Sequence, residues 1–349
     1  MRPGLIAARA LAILAVAAFG CGRNPSVTVY ASADESVARP VFERFERETG
    51  IRVDAKFDTE ATKTVGLANL LRAERGRPRA DVFWSNEQAA TVALATEGVT
   101  RPDASLPAGL PASWPPAWRD PAGTWFAFAG RARVIVHRPG LADPPQSWAQ
   151  LANPRWKGAI AMADPRFGTT RGHFGAMKCY WDAHAGPGYF EAFADGLAAN
   201  EPALLTSGNA GVVDAVARGE AALGLTDTDD VLAAQARGLA LAMVFPRHAS
   251  DPSLPGGGTY AIPNTVAIVA GAPHPEEARA FVAFMLRPET ERQLAAMSAR
   301  HAPLVSEPAP GDLVVPDPLR VDPSAASAAA DDAVARFLRA HRSWPRPAE

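Results

Sequence analysis

From Ser26 onward the apolar residues switch repeatedly between two spacings. Ser26 to Tyr30 is a short β-branched run. Val37, Val41, Phe42 and Phe45 follow at helical spacing, with Pro40 near the first turn and Gly50 as the stop. Ile51, Val53, Ala55 and Phe57 then alternate with Arg52, Asp54 and Lys56, which is the period of a strand with one buried face. The pattern predicts a second helix over 61–75, a strand over 80–84 and a third helix over 87–97. Repeated strand-helix order predicts a parallel sheet covered by helices, because parallel neighbours need a long crossover.

Five prolines between Arg101 and Trp118 (Pro102, Pro107, Pro111, Pro115, Pro116) exclude regular structure there. Strands at 125–128 and 132–137 read as a crossing into a second domain, which alternates again. Its predicted strands lie at 159–163, 221–225 and 241–245. Its predicted helices start at Arg171, Gly188, Ala210 and Asp229. The glycines 256–258 precede a strand pair ending at Ala270, a return to the first domain. Helices at 275–286 and 288–297 and a last helix near 329–341 complete the reading. The expected division is a first lobe of 26–125 plus about 246–300, a second lobe of 126–245, and a Pro/Ala-rich C-terminal segment with a helix over 301–349.

The first residues add a compartment. Arg2 and Arg9 flank a positive start, and Ala10 to Gly20 is an uncharged run of 11 residues. A membrane-spanning helix takes about 20 residues, so residues 1–20 read as a secretory signal peptide. Ala18-Phe19-Gly20-Cys21 resembles a lipobox, which makes Cys21 the expected lipidation site and the lipid the expected membrane anchor of an exported, periplasmic or outer-envelope protein. Ordinary signal cleavage is the other reading. Cys179 is then left without an internal disulfide partner and reads as a small buried hydrophobe. A net charge of −2 with dispersed Lys and Arg provides no field for nucleic acid.

Candidate chemistry sits where strands run into helices, since ligands of open α/β sheets bind outside the carboxyl ends of strands. Five such junctions are polar: 31–35, 85–88, 168–171, 207–209 and 226–230. Two come from the first domain and three from the second, which describes a cleft. Each junction alone also fits helix capping, because Ser, Thr, Asn and Asp accept the unpaired first-turn N–H groups. The Gly168-Thr169-Thr170 stretch adds a close-approach glycine, two hydroxyls and Arg171, the makings of an anion site. Ser32, Lys63, Asn86, Glu87, Arg131, Asn209, Asp227 and Asp229 complete the candidate ligand-binding set. His173 reads as a locally satisfied histidine.

Catalytic patterns are scarce. The sequence has no His-Glu-x-x-His, Gly-x-Ser-x-Gly or phosphate-binding P-loop motif, and Asp227-Thr228-Asp229 lacks the later positions of a calcium loop. The seven histidines have no zinc-like spacing. The chain is therefore expected to be a binding protein without cofactor rather than an enzyme, with a secreted hydrolase as the remote alternative.

With these residues quoted, the chain resembles the ferric-binding-protein group of ABC-importer solute-binding proteins, whose relatives take up aminoalkylphosphonates, sugar phosphates or thiamine. The matching stretches are VTVYASADE (27–35), FERETGIRV (45–53), DTEATKTVGL (58–67) and ADVFWSNEQ (80–88). FGTTRGH (167–173), SGNAGV (207–212), GLTDTDDV (224–231), IPNTVAI (262–268) and APHPEEA (272–278) follow in order. The resemblance covers about residues 26 to 297. It implies the two-lobed α/β fold of type II periplasmic binding proteins, a hinge-linked cleft, a monomer, and an inner-membrane ABC permease as partner. It also implies iron held by two adjacent tyrosines with an acid and an anion, and there this sequence departs. None of its four tyrosines neighbours another, and the tandem position reads Thr226 to Asp230. If iron is bound, Glu87, Asp227 and Asp229 are the candidate ligands. The mixed charge of the junctions instead favours a phosphate- or phosphonate-bearing solute, with ferric iron, a ferric-anion complex or thiamine phosphate as the alternatives.

Overall fold

The computed structural model describes residues 25–58, 65–103, 105–108 and 118–341. The leader with Cys21 and the loop with Lys63 lie outside the described residues. The first elements are β1 (Ser26–Ala31), α1 (Glu35–Thr49), β2 (Arg52–Phe57), α2 (Val65–Ala73), β3 (Val82–Ser85), α3 (Gln88–Thr96) and a single turn α4 (Ser105–Ala108). They follow the predicted alternation. β2, β1 and β3 pair in parallel, and Gly50 ends α1 in the left-handed conformation that a glycine adopts without strain.

The two strands expected at 125–128 and 132–137 are one strand, β4 (Phe126–His137), buried along its whole length. A bulge between Phe128 and Gly130 keeps it continuous while bending it. Its N-terminal half pairs antiparallel with a strand over Ala261–Ile268, and its C-terminal half with two strands of the second lobe. The second lobe contains β5 (Ile160–Ala163), α5 (Gly168–His184), α6 (Tyr189–Ala199), β6 (Ala203–Leu205), α7 (Gly208–Arg218), β7 (Leu223–Asp227), α8 (Thr228–Ala236) and β8 (Ala242–Val244). The chain returns through β9 (Ala261–Ile268), α9 (Pro275–Met285), α10 (Pro288–Ala296) and a final α11 (Pro323–Ala340).

The strand order is β2-β1-β3-β9-β4-β7-β5-β6, with β8 also on β4. The sheet is mixed rather than purely parallel, since β9 and β4 run against their neighbours. Along β4 the pairing partner changes from β9 to β7 at Ala132/Arg133, and His248 and Ala249 pack with the residues around Trp181. Each lobe has its own aromatic core. In the first, Phe45 packs edge-on against Phe281 and Phe284 at 5.0 and 5.2 Å. In the second, Phe174 packs edge-on against Phe337 and Phe190 at 5.4 and 6.2 Å, and Trp181 against Phe193 at 4.9 Å.

Helix α11 starts at Pro323, earlier than its apolar spacing predicts, and lies against α5, α6 and α3. The approach to α5 is close enough that a Cβ on Gly175 would stand 2.2 Å from the Ala326 carbonyl. The C-terminal segment thus completes the second-lobe core and touches the first lobe, where Ser327 donates to the Ala89 carbonyl.

Candidate functional site

A cavity of about 300 Å³ lies between the lobes, at the carboxyl ends of β1, β3, β5, β6 and β7. All five polar junctions reach its wall: Ala33 and Asp34, Asn86, Gly168 to Thr170, Gly208 and Asn209, and Asp227, Asp229 and Asp230. Gly168 opens α5 with a φ of +54°, a conformation that L side chains rarely adopt.

The floor is an ion network. Residues 131 and 133 are two apart on β4, so strand geometry puts both guanidiniums on one face. Arg133 is fully buried and spreads its fork over the second lobe. Its Nη1 donates to Asp227 Oδ1 at 2.8 Å and Asn209 Oδ1 at 2.9 Å. Its Nη2 donates to Thr170 Oγ1 at 2.8 Å and to the Leu225 carbonyl at 3.1 Å. Asp227 Oδ2 accepts from Thr169 Oγ1 at 2.8 Å, Asn209 Nδ2 at 2.9 Å and Arg131 Nε at 3.2 Å. Arg131 also stands 3.4 Å from Asp229 and bonds the Asn86 carbonyl of the first lobe.

Burial opposes ionisation of Asp227. The Arg133 and Arg131 charges, with hydrogen bonds from Arg133 and Thr169, outweigh it and hold the carboxyl below its ordinary range. Burial likewise weakens the Arg131 cation, and Asp229, Asp227 and Asp230 more than restore it.

Single carboxylate oxygens of Asp227, Asp229 and Asp230 lie within 4.8 Å of one another, the spacing a bound cation requires. Asp229 and Asp230 are half-buried on the cavity wall, and Asp34 is exposed on the first-lobe side. Asp164 also lines the cavity and is paired with Arg166 at 2.6 Å.

Three of the expected site residues stand off the cavity wall. Glu87 does not line the cavity. Its carboxylate caps α3, accepting from Ala89 and Ala90 N–H at 2.7 and 2.9 Å, and burial raises its pKa. The strand-end glutamate is consumed by the helix it precedes, which removes it from the candidate iron ligands. Arg171 turns out of the cleft and pairs with Asp331 of α11 at 2.8 Å, because one step along α5 from Thr170 swings the side chain onto a different face. Ser32 does not line the cavity either; its hydroxyl accepts from Asn86 N–H at 2.9 Å and holds that loop in place. Thr169, Thr170, Asn209, Arg131, Asp227 and Asp229 do converge.

Sequence reasoning missed Arg133, Asp164, Asn264 and His301. Arg133 carried a signal, a second arginine two places along an apolar strand. His301 follows α10 and is aligned by Asn264 Nδ2 at 3.0 Å. Burial, with the nearby Arg131 charge, lowers its pKa to about 3, so it faces the cavity as a neutral imidazole. Among the described residues no tyrosine lines the cavity. Tyr30 bonds Glu74 at 2.9 Å, and Tyr260 stacks on His173, which meets His248 nitrogen to nitrogen at 2.9 Å behind the cleft. Cys179 is half-buried and its thiol is pushed up by burial, consistent with a packing role.

Comparison with known proteins gives a consistent picture. The profile described as bacterial extracellular solute-binding protein matches residues 26–292. The chain is similar to iron uptake protein A1 of Synechocystis sp., 24% identical over 297 residues that cover 82% of this chain and 78% of that one. Its fold is similar to that of iron-bound HitA from Pseudomonas aeruginosa, with a TM-score of 0.74, 23% identity, and 90% and 99% of the two chains covered. It is equally similar to AfuA from Actinobacillus pleuropneumoniae, solved with fructose-6-phosphate, at a TM-score of 0.74, 18% identity, and coverage of 92% and 100%. These are two-lobed type II periplasmic binding proteins, and the fold is shared.

Proposed function

Since this chain belongs to the bacterial extracellular solute-binding protein family, and is a binding protein rather than an enzyme, we propose that it captures ferric iron in the interlobe cavity for an ABC importer. The observation that carries this reading is the charge of the wall. Asp34, Asp164, Asp227, Asp229 and Asp230 line the cavity against Arg131 and Arg166. Even with the adjacent Arg133 included, five carboxylates stand against three guanidiniums, so acid is in excess. A concave site with surplus negative charge concentrates cations, and carboxylates are hard donors suited to a hard ion.

The phosphonate reading favoured by the sequence loses its supports here. Arg131, Arg133 and Arg166 are each engaged by a carboxylate, and Arg171 is outside the cleft. The iron-uptake relative adds to the ferric reading. A phosphate-bearing solute remains the second reading, favoured by the openings of α5 and α7 toward the cavity without a side-chain cap and by the AfuA likeness.

Iron would be held by Asp229 and Asp230 on the second lobe, with Asp34 joining as the lobes close about the crossings in β4 and near Tyr260. Without tyrosine in the wall, the ferric complex is expected to lack the strong visible band of iron phenolates. The signal peptide and a lipid on Cys21 are part of the same proposal, supported by the order of charged start, apolar run and cysteine, as is a monomeric state. The test is a thermal-shift and calorimetric panel on metal-free protein lacking its leader. Ferric citrate, ferric nitrilotriacetate, 2-aminoethylphosphonate, fructose 6-phosphate and thiamine phosphate serve as probes. Stabilisation by the ferric compounds alone is expected. Stabilisation by a phosphorus compound alone would replace the ferric reading with the second one.

A further inference from the structure

We infer that Asp227 is a built-in anion, whose carboxylate fills an oxyanion position in the cavity floor that would otherwise take a free carboxylate or phosphate. The inference rests on the ferric reading only for its consequence, that the cation is bound without a second, free oxyanion at this position.

Four donors from three elements converge on the two oxygens of Asp227. They are Arg133 Nη1 at 2.8 Å, Thr169 Oγ1 at 2.8 Å, Asn209 Nδ2 at 2.9 Å and Arg131 Nε at 3.2 Å. Two guanidiniums with a hydroxyl and an amide from the starts of two helices make a donor set for a free oxyanion. Here the anion is delivered covalently by the last residue of β7.

A second observation concerns what Asp227 does not do. It is the residue immediately before α8, where an aspartate ordinarily caps the first turn. Its side chain makes no capping hydrogen bond. The carboxylate is turned instead across the floor into the α5 and α7 donors, 1% exposed. Burying the charge is supported only by the four donors. The geometry is that of a bound ligand rather than a helix terminus.

The consequence is one of specificity. With the position filled, a phosphate or phosphonate group finds its donors taken and a fixed negative charge among them. A cation at Asp229 and Asp230 finds a permanent carboxylate beside it.

The test is anion rescue, with inorganic phosphate and formate as probes. Calorimetry and thermal melts are run in anion-depleted buffer on the wild type, Asp227→Ala and Asp227→Asn. Alanine vacates the position, whereas asparagine fills it without charge. Asp227→Ala is expected to bind phosphate at least tenfold more tightly than wild type and to regain melting temperature with either probe, while Asp227→Asn gains neither. If Asp227→Ala folds only when phosphate is present, that supports the inference equally. Equal phosphate affinity in wild type and Asp227→Ala, an Asp227→Ala protein that no anion restores, or a gain in Asp227→Asn matching that of alanine would overturn it. A ferric arm separates the two readings. Wild-type ferric affinity should not change when phosphate and carbonate are removed, while that of Asp227→Ala should fall at least tenfold until phosphate is returned. Wild-type iron binding that depends on added anion overturns the inference and leaves the ferric reading standing. If the wild type fails to bind iron at all, the ferric reading falls, and the phosphate arm still decides the role of Asp227.

Discussion

The two walls of the cleft are built on opposite principles. The second-lobe wall is a buried, charged lattice in which Arg133, Asp227, Thr169 and Asn209 hold one another, joined by Arg131 from the β9-paired half of β4. Apart from Arg131, the first-lobe wall is mostly neutral. Ser32 supports the Asn86 loop, Glu87 is spent on a helix cap, His301 is an uncharged imidazole, and Asp34 stands exposed at the rim. The contrast teaches that most of the wall's charge is built into a buried network, whereas the first-lobe side adds one exposed carboxylate, Asp34.

The contrast breaks most severely at Arg133. Removing one member of a buried ion pair leaves an uncompensated charge, at a cost of about 3–5 kcal/mol. Arg133→Ala is therefore expected to lower the unfolding free energy from urea titration by that order, and a loss below about 1 kcal/mol would deny the lattice its structural role. The next effect is on affinity. Replacing Asp229 and Asp230 together by Asn should weaken ferric binding at least 100-fold, about 2.7 kcal/mol, and should also lower the melting temperature of metal-free protein, because both acids support the buried Arg131 cation. Unaltered affinity would remove both residues from the site.

Acid separates the walls by pH window. The folded pKa of His301, about 3, and that of His248, about 4, lie below the unfolded value of 6.5. Their contribution is complete above that value and is lost as pH falls through it, roughly 2 kcal/mol per residue by pH 5. Asp227 is depressed in the folded state, so its contribution is present above the ordinary carboxylate pKa and is lost only at lower pH. The melting temperature should fall first from the histidines, and His301→Gln should flatten the decline between pH 6.5 and 5. An unchanged slope would place the acid sensitivity elsewhere.

The smallest effects compare two first-lobe acids. Asp34→Asn should weaken ferric binding about tenfold, some 1.4 kcal/mol, without altering stability. Glu87→Ala should do the reverse, costing about 1 kcal/mol of stability as a lost cap and leaving affinity as it was. Exchange of these two outcomes would invert the assignment of the first-lobe wall.

Much of this was legible in the sequence, for a physical reason. Strand and helix periods are local, and the polar junctions sit where strands end, so the alternation from Ser26 and the five candidate loops follow from the chain alone. What escaped depends on distant partners. Arg171 and Arg131 look alike in sequence, yet Asp331 on α11 draws one out of the cleft while Asp227 holds the other in it. Glu87 reads as a ligand until the first turn of α3 claims it. Asn264 and His301 reach the cavity only because β9 crosses between the lobes and the segment after α10 pairs with Gly130. Arg133 was visible as the second charge of a strand, but a run of apolar neighbours hid that it faces a floor rather than solvent. The preference for a phosphorus compound came from the mixed charge of the junctions, with the Thr169-Thr170 helix start and Lys63 or Arg171 set against the anion; Arg171 is paired with Asp331, and Lys63 lies outside the described residues.

The most direct measurement is anomalous diffraction at the iron absorption edge from crystals of the ferric-loaded protein. The account predicts one strong peak between Asp229, Asp230 and Asp34, with Asp227 still bound to Arg131, Arg133, Thr169 and Asn209. No iron in the interlobe cavity, or iron bound to a tyrosine drawn into the cleft, would contradict it.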